Sequence, residues 1–137
     1  MARTRRKKPK SPVVLVAEDE PTVRLLAESN IAELGYATLS AGNAREALAI
    51  LDTGASVDVL FTDINMPDEP DGIDGLELAR RAVELRPDVR VIYTTGGALT
   101  DGMSALFVDG ATYLQKPYTR EQLIKAVRDA AEPAKGK

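Results

Sequence analysis

The chain has 137 residues, a formal net charge of −3 and 28% charged side chains, with no cysteine and no histidine. That length fits one domain with a core of its own, and the missing residue types exclude disulfides, thiol chemistry, Cys/His zinc sites and histidine acid–base catalysis. No apolar run approaches the ~20 residues of a membrane span, and the apolar residues 13–16 run almost directly into Glu18-Asp19-Glu20; a soluble cytoplasmic protein with no membrane partner is the expectation.

The net charge conceals an asymmetry. Residues 1–10 carry six basic side chains and no acid, whereas residues 11–131 carry 10 basic and 20 acidic ones, a net of −10. Like charges crowded beside Pro9 and Pro12 read as a disordered basic tail over residues 1–11, a solvated leader first and an arm for nucleic acid or an acidic partner second. Residues 12–131 read as the folded domain. Residues 132–137 read as a C-terminal tail too short to be an output domain.

Within the folded part, strand and helix alternate. Residues 13–17 form a short apolar run, a first buried strand that ends at Glu18-Asp19. Pro21 opens a helix, where its missing N–H costs nothing. Val23, Leu26, Ala27, Asn30, Ile31 and Leu34 follow helical spacing, and Gly35 supplies the stop. Residues 36–41 make a weaker second strand. Asn43 caps a second helix, with Glu46 three residues on, an apolar face of Ala47, Leu48, Ile50 and Leu51, and Gly54 at its end. Residues 57–63 are rich in apolar side chains and form the central strand, buried on both faces and ending on Asp63. Asp74, with Glu77 at the third position, caps a helix over residues 76–85 that Pro87 breaks. Residues 89–95 form a fourth strand ending in Thr94-Thr95. After Gly96-Gly97 a weaker helix spans residues 101–108, because each glycine lowers helix stability by ~1 kcal/mol relative to alanine. Residues 111–115 form a fifth strand ending at Lys116-Pro117. Thr119 and Gln122 box the last helix, which turns Leu123, Ile124, Ala126 and Val127 inward.

Five strands alternating with five helices make an α/β fold, a parallel sheet covered on both faces. Such sheets hold their ligands beyond the carboxyl ends of the strands. Here those ends carry Glu18-Asp19, Asp63, Thr94-Thr95 and Lys116. Carboxylates gathered at one rim repel and need a cation between them. Oxygen ligands without histidine or cysteine suit Mg²⁺, with Mn²⁺ as an alternative. A lysine and a hydroxyl beside the metal can bind further oxygens of a phosphoryl group.

The order Val-Ala-Glu18-Asp19-Glu-Pro, Asp63-Ile-Asn-Met-Pro, Asp74-Gly75-Leu-Glu-Leu, Val-Ile-Tyr-Thr-Thr95-Gly96 and Tyr113-Leu-Gln-Lys116-Pro117 closely resembles a bacterial two-component response-regulator receiver domain over residues 12–130. The resemblance implies a flavodoxin-like, doubly wound five-stranded sheet in the order 2-1-3-4-5. It implies that Asp63 is the phosphoacceptor, that Asp19 binds Mg²⁺ directly with Glu18 helping, and that the backbone carbonyl of Asn65 completes the protein ligands. Thr95 then bonds a phosphoryl oxygen, Lys116 pairs with it, and Tyr113 follows the switch threonine inward. Thr95 is preferred to Thr94 because the small Gly96 follows it, and Lys116-Pro117 matches the family's cis peptide.

What the resemblance implies for function is a stand-alone receiver in signal transduction, phosphorylated in a Mg²⁺-dependent way by a sensor histidine kinase or a histidine phosphotransfer protein. It catalyses at most its own phosphorylation and dephosphorylation. With no DNA-binding domain, output passes by contact with a downstream protein, or the chain acts as a phosphorelay element or phosphoryl sink. A dimer through the fourth and fifth strand–helix face stays open. Two departures stand out: the loop over residues 64–74 is longer and more acidic than the common family loop, and residues 96–102 are glycine-rich. Two rivals remain. A phosphorylation-independent binding module of receiver shape need not keep the acids, threonine and lysine together. A metal-dependent phosphohydrolase would want an acid–base carboxylate two residues after its nucleophile, where this chain has Asn65.

Overall fold

The computed structural model describes residues 11–66 and 72–132. The basic tail and the extreme C-terminus, together with the acidic part of the long loop (residues 67–71), lie outside the described residues. In chain order the elements are β1 (Val13–Ala17), α1 (Pro21–Ala32), β2 (Ala37–Ala41), α2 (Ala44–Asp52), β3 (Val59–Asp63), α3 (Gly75–Leu85), β4 (Arg90–Thr95), α4 (Asp101–Ser104), β5 (Thr112–Gln115) and α5 (Arg120–Ala131). The five strands form one parallel sheet in the order β2-β1-β3-β4-β5, the order that the resemblance implied.

Alternation along each strand sorts the core into two layers. Leu15, Leu60, Val91 and Tyr93 face Ala47 and Leu51 of α2 and Leu78, Ala79 and Ala82 of α3. Val14, Val16, Val59, Phe61 and Ile92 face Ala27 and Ile31 of α1 and Leu123 and Val127 of α5. All five residues of β3 are buried, as a central parallel strand requires. Burial of a side chain such as Leu60 or Phe61 contributes about 1.5–3 kcal/mol.

The caps are local and fall where the side-chain chemistry places them. Asn43 accepts from the Glu46 N–H at 2.8 Å, Asp74 from the Glu77 N–H at 2.9 Å, and Thr119 and Gln122 close a full capping box. α1 has Pro21 at its start and no cap from Glu20. Instead, Glu18 reaches forward and accepts from the Glu20 N–H at 3.1 Å.

Three details differ from the sequence reading. α4 ends at Ser104, not at Val108. Beyond it Phe107 stacks on Tyr93, with ring centroids 4.2 Å apart, and the Val108 N–H donates to the Tyr93 hydroxyl at 3.1 Å. That contact with the sheet ends a helix already weakened by Gly102. Leu26, placed on the apolar stripe of α1 by its spacing, is 63% exposed; the small Ala27 and the β-branched Ile31 are what meet the sheet. Several strands begin one or two residues late. The latest is β3, whose entry is clamped by Val13 N–H donating to Asp58 Oδ2 at 2.8 Å and Asp58 N–H donating to the Val13 carbonyl at 2.8 Å.

Candidate functional site

Because all five strands run in one direction, β1, β3, β4 and β5 deliver Glu18, Asp63, Thr95 and Lys116 to the same rim. Glu18 and Asp63 are buried, and Asp19 is half-buried. One carboxylate oxygen from each of Glu18, Asp19 and Asp63 lies within 4.8 Å of the others. The Lys116 ammonium donates to Glu18 Oε1 and to Asp63 Oδ2, both at 2.9 Å. Residues 45 and 98 positions apart in the chain thereby form one closed cluster: Glu18 with Asp63, and Glu18 with Lys116.

Three carboxylates facing one ammonium leave an excess of negative charge in a poorly solvated place. Burial pushes the Glu18 carboxyl above its usual range; the bond from Lys116 opposes this and the Asp63 charge adds to it. Burial alone would lower the Lys116 ammonium, but its bonds to Glu18 and Asp63 and their charges outweigh that and raise it. Lys116 is therefore a fixed cation and not a proton donor at neutral pH.

A glycine sets the position of Asp63. The Gly75 N–H donates to the Ile64 carbonyl at 2.8 Å, and a Cβ on Gly75 would lie 2.1 Å from the Asp63 carbonyl oxygen. Only glycine allows the start of α3 to close on the end of β3. Two further backbone bonds hold the acid in place: the Asn65 N–H donates to Asp63 Oδ1 at 3.1 Å, and the Ile64 N–H to the Thr94 carbonyl at 2.8 Å.

The two threonines at the end of β4 have different surroundings. Both are buried. The Thr94 hydroxyl has no hydrogen-bond partner among the described residues. The Thr95 hydroxyl accepts twice, from Asn65 Nδ2 at 2.9 Å and from the Gly97 N–H at 3.2 Å. A hydroxyl has two acceptor positions and one proton. With both positions filled and no acceptor for the proton among the described residues, Thr95 is a donor in waiting. Tyr113 lies farther out, half-buried, its ring 6.2 Å from that of Phe107. The Lys116–Pro117 peptide is cis.

Some participants were missed in the sequence. Arg24 donates from Nη1 to the Glu18 carbonyl at 2.6 Å and pins the turn that carries the acids; a cation in the first turn of a helix, where the dipole disfavours it, was the available signal. Tyr118 packs edge-on against Phe61, centroids 6.0 Å apart. Its phenol is raised by burial first, with the Lys116 charge lowering it and those of Glu18 and Asp63 raising it further. Gln115 bonds to Thr95 and Tyr113 alike, and nothing local in the sequence marks it.

The family model described as "Response regulator receiver domain" matches residues 14–128. The chain belongs to the response-regulator receiver family. It is a receiver of flavodoxin-like fold, and not a conventional enzyme. A response regulator receiver protein from Sinorhizobium medicae is 30% identical, with a TM-score of 0.81 covering 90% of this chain and 97% of that one. A chemotaxis protein of Helicobacter pylori is 32% identical over 111 residues, covering 80% of this receiver and 89% of that protein. A positive alginate biosynthesis regulatory protein of Pseudomonas aeruginosa is 35% identical over 123 residues. The receiver spans 88% of its own length in that match but 47% of the relative, and 24% and 48% of two other transcriptional regulators. Receivers are phosphorylated by histidine kinases, and this one has the acidic cluster typical of their magnesium site. Among the described residues no helix is long and apolar enough to cross a membrane.

Proposed function

We propose that Asp63 accepts a phosphoryl group from a histidine kinase or a histidine phosphotransfer protein. One observation carries the reading: Lys116 holds Asp63 and Glu18 together at 2.9 Å each, at the carboxyl end of the central strand, with Asp19 beside them. An Asp63 oxygen attacks the phosphorus of a phosphorylated imidazole, a P–O bond forms as the P–N bond breaks, and the imidazole leaves with the electron pair. Lys116 then keeps its contact with the site and faces the transferred oxygens. Thr95 supplies a hydroxyl proton to one of them.

The donor set fits a hard divalent cation, being three clustered carboxylate oxygens with one acid, Asp19, only half-buried. Glu18, Asp19, Asp63 and the Asn65 carbonyl would hold Mg²⁺, which when bound neutralises charge that gathers on the phosphoryl oxygens. Output then passes to a protein partner by contact, or onward as a phosphoryl group.

Acetyl phosphate labelling read by intact mass tests this. Wild type takes up one phosphoryl group and requires Mg²⁺, Asp63→Asn takes none, and Asp19→Ala folds but loses Mg²⁺ binding in titration. Unchanged labelling of Asp63→Asn removes the assignment.

A further inference from the structure

The Thr95 strand end is pulled from two sides. Asp63 lies on β3, one neighbour of β4, and Gln115 lies on β5, the other neighbour, in register with Thr95. Gln115 is exposed, yet its amide is fully engaged. Nε2 donates to the Thr95 carbonyl at 2.9 Å and the Lys116 carbonyl at 3.0 Å, with a longer approach to the Gly97 carbonyl at 3.4 Å. Its Oε1 accepts from the Tyr113 hydroxyl at 2.5 Å. An amide offers two N–H donors and one carbonyl, so a side chain that water could serve is spent on joining a strand end, the loop after it and a phenol.

The direction of these bonds matters. To donate to an oxygen carried on Asp63, Thr95 must shift toward β3 and so away from β5. That shift stretches the Gln115 bond to the Thr95 carbonyl, which reinforces the backbone bond that the same carbonyl accepts from the Lys116 N–H at 3.0 Å. The same amide restrains the Tyr113 hydroxyl. Two groups expected to move together are therefore both tied to one side chain on the far side of the strand, which for Thr95 adds to the backbone bond from Lys116.

We propose that Gln115 is a positioning residue that latches the resting arrangement of Thr95 and Tyr113 and opposes the shift that a phosphoryl group at Asp63 requires. The inference rests on the Asp63 acceptor reading. A ligand that selects the shifted arrangement binds more tightly once the resting one is weakened.

The test uses the full chain in saturating Mg²⁺ with beryllofluoride as phosphoryl mimic, comparing wild type, Gln115→Met, Gln115→Glu and Tyr113→Phe. Gln115→Met keeps the length of the side chain and removes its hydrogen bonds. Gln115→Glu keeps an acceptor for Tyr113 and removes both donors. Both variants should lower the half-saturating beryllofluoride concentration roughly five-fold, the effect of one net hydrogen bond. Both should also speed amide exchange at Gly97 in the resting protein by a similar factor, since that N–H rests on the Thr95 hydroxyl. Tyr113→Phe leaves the Thr95 tie intact and should shift half-saturation less. A lower thermal midpoint with unchanged half-saturation in both Gln115 variants would mean a merely structural role and overturn the latch. Failure of wild type to bind the mimic at all would instead overturn the acceptor reading, and the latch with it.

Discussion

Glu18 and Asp63 are buried and Lys116, itself only half-buried, bridges them from a third strand, with Arg24 and Gly75 fixing the backbone behind them. One strand away, Thr95 opens onto two consecutive glycines and a helix of four residues with no buried side chain. The first region is determined by backbone approach and paired charge, so it has one arrangement. The second has the last backbone bonds of the strand and a few side-chain hydrogen bonds, each worth ~1 kcal/mol. A rim that must place a reacting acid and also report on it gains from this division: rigidity where chemistry occurs, a low barrier where the state is read.

The largest expected effect lies in the rigid half. Gly75→Ala places a methyl group 2.1 Å from the Asp63 carbonyl oxygen, and neither backbone can yield without moving the acid. We expect a loss of about 3 kcal/mol in urea unfolding together with slower acetyl phosphate labelling. Wild-type stability in this variant would break the contrast at its strongest point.

Next comes a paired comparison across the rim. Lys116→Met leaves Glu18 and Asp63 buried together without their cation, and about 2 kcal/mol of stability should go, less than for a fully buried pair because Lys116 is 21% exposed. Added Mg²⁺ should restore much of it by binding the folded state alone. Thr95→Ala removes a neutral hydroxyl and a buried methyl group but no charge partner, and should cost about 1 kcal/mol, with no recovery on adding Mg²⁺. Equal losses, or equal recovery, would show that the two halves are not energetically distinct.

The smallest effect lies outside both halves and serves as a baseline. The Tyr36 hydroxyl donates to Glu132, and burial with that bond pushes the phenol up to about 12 from 10.0. The folded-state value is raised, so the contribution is full below pH ~10 and is lost as pH rises from ~10 toward ~12. Tyr36→Phe should flatten the alkaline stability curve in that window relative to wild type and leave beryllofluoride binding unchanged.

Local chemistry made much of the fold legible. Pro21, Asn43, Asp74 and Thr119 start their helices through their own side chains or ring, and the β1 and β3 runs are apolar enough to be central strands in any context. The chain order of acid, acid, hydroxyl and lysine at the strand ends brought the site into view before any contact was known, because parallel strands bring their carboxyl ends together whatever the sequence between them. The acidic stretch over residues 67–71, which departed from the family loop, falls outside the described residues.

The set of elements, and which side chains stand at their ends, thus follow from residues within a few positions of one another. The remaining features arise between elements that meet only in the folded chain. α4 stops at Ser104 because Phe107 finds Tyr93, Gly75 is required because Asp63 lies against it, and Thr95 is held from one side by Asn65 and from the other by Gln115. Each is a through-space contact between residues of different elements, where packing and hydrogen-bond partners outweigh local propensity by a kcal/mol or more, and no periodicity within one element encodes it.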